Sequence, residues 1–248
     1  MAIQQLLQEI TVAIGFLTIL PVPTVAFQPG LLGRAGRWFP LIGLLIGLLL
    51  WGGYTLLSQI YAPLLVAAAT TALWAILTGG LHLDGLADCC DGLLAPVAPA
   101  RRLEIMRDPR SGAFAVIGLI LLLLLKTAAL ATMPTAGAAL LVAPTGARWL
   151  LLWIARQPAA RSGGLGAEFQ NGLTPRSLLF ALLLPLVLVG ILHQWQLWPA
   201  LLAALIATWL LARFARQRLG GVTGDVYGLT VEVSELVILL ICSAQFGQ

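Results

Sequence analysis

Charge is what this sequence has least of. Only 10% of its 248 residues are Asp, Glu, Lys or Arg, and 60% are hydrophobic. Soluble domains carry roughly 25% charged residues, so water is not the main solvent of this chain. Lysine is almost missing: Lys126 is the only one, and the net charge of +4 comes from arginines scattered between apolar runs. Scattering of that kind excludes a basic nucleic-acid-binding face and points to membrane topology. Cysteine is scarce too. Cys89 and Cys90 are neighbours that cannot easily bridge each other, Cys242 is remote, and there is no C-x-x-C pair, so neither a disulfide framework nor a zinc site is expected. A G-x-x-x-x-G-K-[ST] phosphate loop and a G-x-S-x-G nucleophile elbow are both missing. The N-terminus has no basic segment followed by a small-residue cleavage site, so insertion must come from the body of the chain. With no repeat or low-complexity tract, residues 1–248 read as one integral membrane catalytic domain.

What is present is a series of apolar runs of about 20 residues, the length that crosses a bilayer. They fall at 38–60, 62–82, 113–133, 136–156, 177–197, 199–217 and 226–246. The fold class expected is therefore all-α, a polytopic membrane bundle of about seven spans. A shorter apolar stretch, Ile10 to Leu20, is bounded by Glu9, Pro21 and Pro23 and reads as an interfacial or re-entrant helix. Arginines occupy alternate connections: Arg34 and Arg37, then Arg101 to Arg110, then Arg156 to Arg176, then Arg213 to Arg218. The connections around Tyr61, Pro134 and His193–Trp198 have none. The positive-inside rule makes the arginine-bearing side cytoplasmic, with the N-terminus inside and the C-terminus outside. Two basic residues lie within spans. Lys126 is placed to snorkel outward, whereas Arg148, about 12 Å in from its helix end, is a functional or pairing candidate.

Eight of the ten acidic residues fall in two places. The first is the glycine-rich run Gly79 to Leu93, with Asp84, Asp88 and Asp91 at i, i+4 and i+7, followed by Glu104 and Asp108. On a helix the three aspartates share a sector about 60° wide. Carboxylates that close are not all ionised at neutral pH without a cation, and oxygen donors select hard ions such as Mg²⁺. The glycines disfavour a simple solvated helix, because they weaken it and permit close approach of backbone or ligand. The second place is Gly220 to Glu235, where Asp225, Glu232 and Glu235 form one stripe from the same membrane face. Two readings stay open for the two glutamates: part of a shared site with the aspartates, or an interhelical polar pair balanced by Arg148. His82 stands beside the first cluster as a structural donor, a base or a substrate-positioning group. Asp and Arg gathered around a metal are what phosphoryl transfer requires.

These segments, with the run Leu103 to Phe114, resemble the adenosylcobinamide-GDP ribazoletransferase (cobalamin synthase) family. Phe16 to Pro23, Arg37 to Pro40 with Gly43, and Gly164 to Gly166 extend the resemblance along the whole chain in order. Cys89, Cys90, Pro109 and Leu229 depart from the family pattern without removing an acid. The resemblance implies a Mg²⁺-dependent reaction in the bacterial cytoplasmic (inner) membrane, with the active site facing the cytoplasm. A ribose hydroxyl of α-ribazole, or of its 5′-phosphate, attacks adenosylcobinamide-GDP and releases GMP. On this basis Asp84, Asp88 and Asp91 are expected to hold the metal. Glu104, Asp108, Asp225, Glu232 and Glu235 are expected to supply further metal contacts or the base, His82 to act as a base or substrate-positioning group, and Arg37, Arg102 and Arg110 to bind phosphate. The partners implied are these small molecules and the lipid bilayer, with no nucleic acid; whether the chain forms a homo-oligomer stays open. A cation-coupled transporter is disfavoured because the acids gather at one face and no second half mirrors the first. A phosphatidyltransferase using a CDP-linked lipid is disfavoured because Asp84-Gly85 is not followed by Ala-Arg.

Overall fold

A computed structural model describes residues 2–26, 28–161 and 163–244, and apart from one isolated β-bridge the regular elements among them are helices. Helix α1 (Ala2–Leu17) is followed by the short α2 (Leu31–Ala35), which a 3₁₀ turn joins to α3 (Phe39–Leu57). Then come α4 (Pro63–Leu77), α5 (Leu81–Leu94), α6 (Pro99–Ile105), α7 (Ala113–Thr132), α8 (Gly137–Ile154), α9 (Gly164–Gly172), α10 (Pro175–Leu192), α11 (Leu197–Leu219) and α12 (Gly224–Ser243). Among the described residues, six helices are long and apolar enough to cross a membrane: α2 and α3 taken together, α7, α8, α10, α11 and α12. The α4–α5 pair is the seventh candidate, bent by 92° at its break. The multi-pass helical architecture thus matches expectation, and α1 is an apolar helix too short to span. The last two positions of the run expected at 226–246 lie outside the described residues.

The expected span at 62–82 does not continue through its whole length. It stops at Leu77, because Thr78, Gly79 and Gly80 make a tight reversal. Gly79 and Gly80 adopt φ of +59° and +69°, values that disfavour any residue with a Cβ. Gly80 also donates its N–H to Ala75 O at 3.0 Å, satisfying a carbonyl at the helix end. Helix α5 then leaves at a right angle and runs across the starting ends of α7 and α12, so it is not itself a span.

Helix α8 is the hub. Apart from Thr145 and Arg148 its side chains are apolar, and nearly all of it is buried. Small residues let α3 lie against it: a methyl group at Gly47 would sit 2.6 Å from Leu140 O. The outward faces are apolar as well. Ile117, Leu121 and Leu124 on α7, Leu183 and Val187 on α10, and Leu202, Ile206 and Leu210 on α11 are all exposed. Such a surface is stable against lipid tails rather than water.

Candidate active site

Two backbone devices build one cleft. The first is the contact of α5 with α12. A methyl at Gly85 would lie 2.8 Å from Asp225 O, and one at Gly228 would lie 3.0 Å from His82 O. Glycine at both positions lets the helices touch, which brings Asp84 and Asp225 to the same opening. The second is a bridge between Ala159 and Val222, in which Ala160 N donates to Val222 O and Val222 N to Pro158 O, each at 2.9 Å. This pairing carries Arg161 over the start of α12, with its Nη2 3.7 Å from Asp225 Oδ2. Thr223 caps α12 by accepting from Val226 N, and its hydroxyl also donates to Asp225 Oδ2 at 3.1 Å.

The resulting cavity, about 310 Å³, is lined by His82, Asp84, Arg161, Asp225 and Tyr227, with Phe169 of α9 on its wall. Tyr227 is held by Gln170, whose Nε2 donates to the phenol oxygen at 3.0 Å. Asp88 sits half-buried one turn beyond Asp84. Burial, reinforced by the charges of Asp225, Asp84 and Asp91, pushes its carboxyl up to about 7. His82 is buried, and neither ring nitrogen has a hydrogen-bond partner in the structure. Its burial, and then the charges of Arg148 and Lys126, hold its pKa well below the usual imidazole value, so the ring is neutral. One Arg161 nitrogen, Nη1, is likewise buried and without a partner. Among the described residues, no group of three His, Cys, Asp or Glu side chains is gathered closely enough to hold a metal unaided.

The structure distributes the expected site residues unevenly. His82, Asp84 and Asp225 line the cleft, with Asp88 close enough to feel their charge. Asp91 accepts from Gly112 N (2.6 Å) and Ala115 N (2.9 Å), using both oxygens to cap α7. Glu104 is exposed and paired with Arg101 at 2.6 Å. Asp108 is chelated by Arg110 (2.7 Å), whose hydrogen bonds draw its pKa down to about 2. Arg102 is buried and donates to Gly92 O and Leu93 O, closing the end of α5. Arg37 is paired with the buried Glu9 at 2.6 Å. Glu232 and Glu235 lie deeper, each 2.6 Å from Lys126 Nζ, and Glu235 also bonds Arg148. The pairing with Arg148 is thus present. Lys126, expected to snorkel outward, instead points inward because two carboxylates and the ring of Trp74, 4.6 Å away, hold it there. Arg161 is the residue that sequence reasoning used only for topology. Its one signal was its position inside 157–176, one of the two longest polar segments.

Spans, bent helix and cleft define a polytopic membrane protein with an acidic pocket faced by an arginine at one end of the bundle. The family profile of cobalamin-5-phosphate synthase matches residues 9–243. The adenosylcobinamide-GDP ribazoletransferase of Ectopseudomonas mendocina is 44% identical over 92% of this chain and 96% of its own. The proteins of the same name from Pseudomonas paraeruginosa and Desulfitobacterium hafniense are 43% and 38% identical, covering 96% and 94% of this chain and 98% and 96% of their own. This chain belongs to the cobalamin-5-phosphate synthase family. No solved structure matches it.

Proposed function

We propose that this protein transfers the phosphocobinamide part of adenosylcobinamide-GDP to α-ribazole or its 5′-phosphate, releasing GMP, late in vitamin B12 assembly. Family membership supports the substrate. The observation that carries the reading is the cleft where Asp84 and Asp225 face Arg161, since it joins hard oxygen donors to a guanidinium with a nitrogen still free to bind an anion. The reaction forms a P–O bond from the ribose hydroxyl and breaks the P–O bond to GMP.

Within that cleft, Arg161 binds a phosphate oxygen of the diphosphate by a forked contact. Neutral His82 accepts the hydroxyl proton as the new bond forms; its unpartnered nitrogens support this role. The donor set also fits Mg²⁺, because burial and then the repulsion of neighbouring carboxylates raise Asp88, both of which a bound cation would offset, and Mg²⁺ usually takes only one or two carboxylates plus substrate phosphates. One or two of Asp84, Asp88 and Asp225, together with the phosphates of the substrate, would hold it, and it would supply charge neutralisation at the phosphate oxygens. Asp91 keeps α7 in place, and the outlying ion pairs of Glu104 and Asp108 stay structural. The reading places the cleft at the cytoplasmic face of the inner membrane, supported by the arginine-bearing connections around it.

The test is direct. Purified protein in detergent, given Mg²⁺, adenosylcobinamide-GDP and α-ribazole, should release GMP and form the cobalamin, both measured by chromatography. No sealed vesicle is needed, which separates the reaction from transport. CDP-diacylglycerol in place of the GDP-linked substrate should give no product; turnover of it alone would defeat the proposal.

A further inference from the structure

A second cavity lies away from the acidic cleft, on the lipid-facing wall. It is a groove of about 320 Å³ between α3 and α10, with Arg37 and Trp38 at one end and Leu41, Leu183 and Val187 along its length. Trp38 packs edge-on against Phe180 at 5.6 Å and so closes the groove's floor near the membrane face. Arg37 lies over the Trp38 ring at 5.5 Å, with its side chain 39% exposed even while paired to Glu9. Arg176 stands one turn before Phe180 on the same side of α10; it is exposed and has no ion-pair partner among the described residues. Arg37 lines the end of a groove whose walls are otherwise hydrocarbon, and the helical register of α10 sets Arg176 beyond Phe180 at that same end, against a single buried carboxylate, Glu9.

We propose that this groove binds an anionic phospholipid, one acyl chain lying between α3 and α10 and the phosphate held at Arg37 and Arg176. Charge complementarity selects the occupant. The groove opens to the bilayer, so its apolar length meets an acyl chain. From Arg176 to Val187 the helix rises about 16 Å, enough for most of such a chain. An excess of guanidinium at the headgroup level favours a lipid with net negative charge over a zwitterionic one. A similar apolar groove of about 280 Å³, between α8, α10 and α11, is lined by Trp149, Trp198 and Leu202 and has no charged residue in its wall. Shape alone does not distinguish the two; the arginines do.

The experiment is quantitative mass spectrometry of phospholipids that remain on the full-length protein purified in mild detergent. Wild-type protein should carry phosphatidylglycerol or cardiolipin enriched at least threefold over phosphatidylethanolamine, relative to the source membrane. Leu183→Trp, which fills the groove from an exposed position, and Arg176→Gln, which removes the unpaired charge, should each abolish that enrichment. Leu202→Trp, in the uncharged groove, should preserve it. Monodispersity on size exclusion checks that each variant is folded; should a variant fail that check, wild-type protein in nanodiscs, titrated from zwitterionic to anionic lipid, decides the matter by the same enrichment. No anionic enrichment in wild type, or equal loss in Leu202→Trp, overturns the proposal.

Discussion

Asp84 and Asp225 are about 140 positions apart in the chain, yet both line one cavity while Asp91, three residues from Asp88, spends its oxygens on a helix start. Single-residue tests should separate these tasks. Asp84→Asn and Asp88→Asn are each expected to lower product formation at least 100-fold while the protein still inserts, as judged by membrane yield and monodispersity; unchanged turnover in either would remove that carboxylate from the site. Arg161→Gln should reduce kcat/KM by about 100-fold, roughly 2.7 kcal/mol of transition-state stabilisation, with Arg161→Lys recovering part of it. Arg110→Gln, which breaks only an exposed pair, should stay within about twofold. Asp88 also predicts a pH effect. Its raised pKa means the proton is bound below about 7 and lost above it. Metal-free protein should therefore show a protonated-carboxyl infrared band at pH 6 that fades by pH 8, is missing in Asp88→Asn, and weakens at pH 6 when Mg²⁺ is added.

Among the elements, α5 and α12 decide whether there is a site at all. Their contact depends on two glycines, and their depth depends on the buried ions beneath. Lys126, Arg148, Glu232 and Glu235 form a network with two charges of each sign, all of it buried. Removing one member leaves an uncompensated charge, which costs about 3–5 kcal/mol. Lys126→Met should therefore lower thermal stability in detergent sharply, and the double change Lys126→Met with Glu232→Gln should restore much of it. If the single change is neutral, the network is not what ties α7 and α8 to α12. The helical stripe of acids on α12 was legible in the sequence, but its division into Asp225 at the cleft and Glu232 and Glu235 in a deeper ion-pair network was not. The partner of those glutamates was only half legible. Arg148 stood out as an intramembrane charge, but Lys126 read as a snorkelling side chain because periodicity does not reveal which face of α7 meets α12.

For the whole bundle, the expected alternation of arginine-bearing and arginine-free connections makes a topology test possible. Reporter fusions after Tyr61, Pro134 or His193 should be active only outside the cytoplasm, and fusions after Arg102 or Arg161 only inside. The reverse pattern would place the cleft on the wrong side for a cytoplasmic nucleotide substrate. Most span positions agree with the observed helices to within a few residues, since a bilayer-length apolar run leaves the backbone little choice but to form internal hydrogen bonds. The exception, the break at Thr78–Gly80, was signalled by paired glycines but not its direction: a 92° turn depends on what α5 finds to pack against.

Local chemistry alone determined the helices, their approximate ends, the glycine-rich acidic segments and the family, because hydrophobic length and motif spacing are properties of neighbouring residues. Which acids share a cavity, that Arg161 faces them, that Arg102 and Arg110 are committed to other partners, and that Arg37 pairs with Glu9 away from the acidic cleft were decided only by the tertiary structure. Those are distances between helices remote in the chain, and they follow from where glycine allows contact and where buried charges must find their counterions.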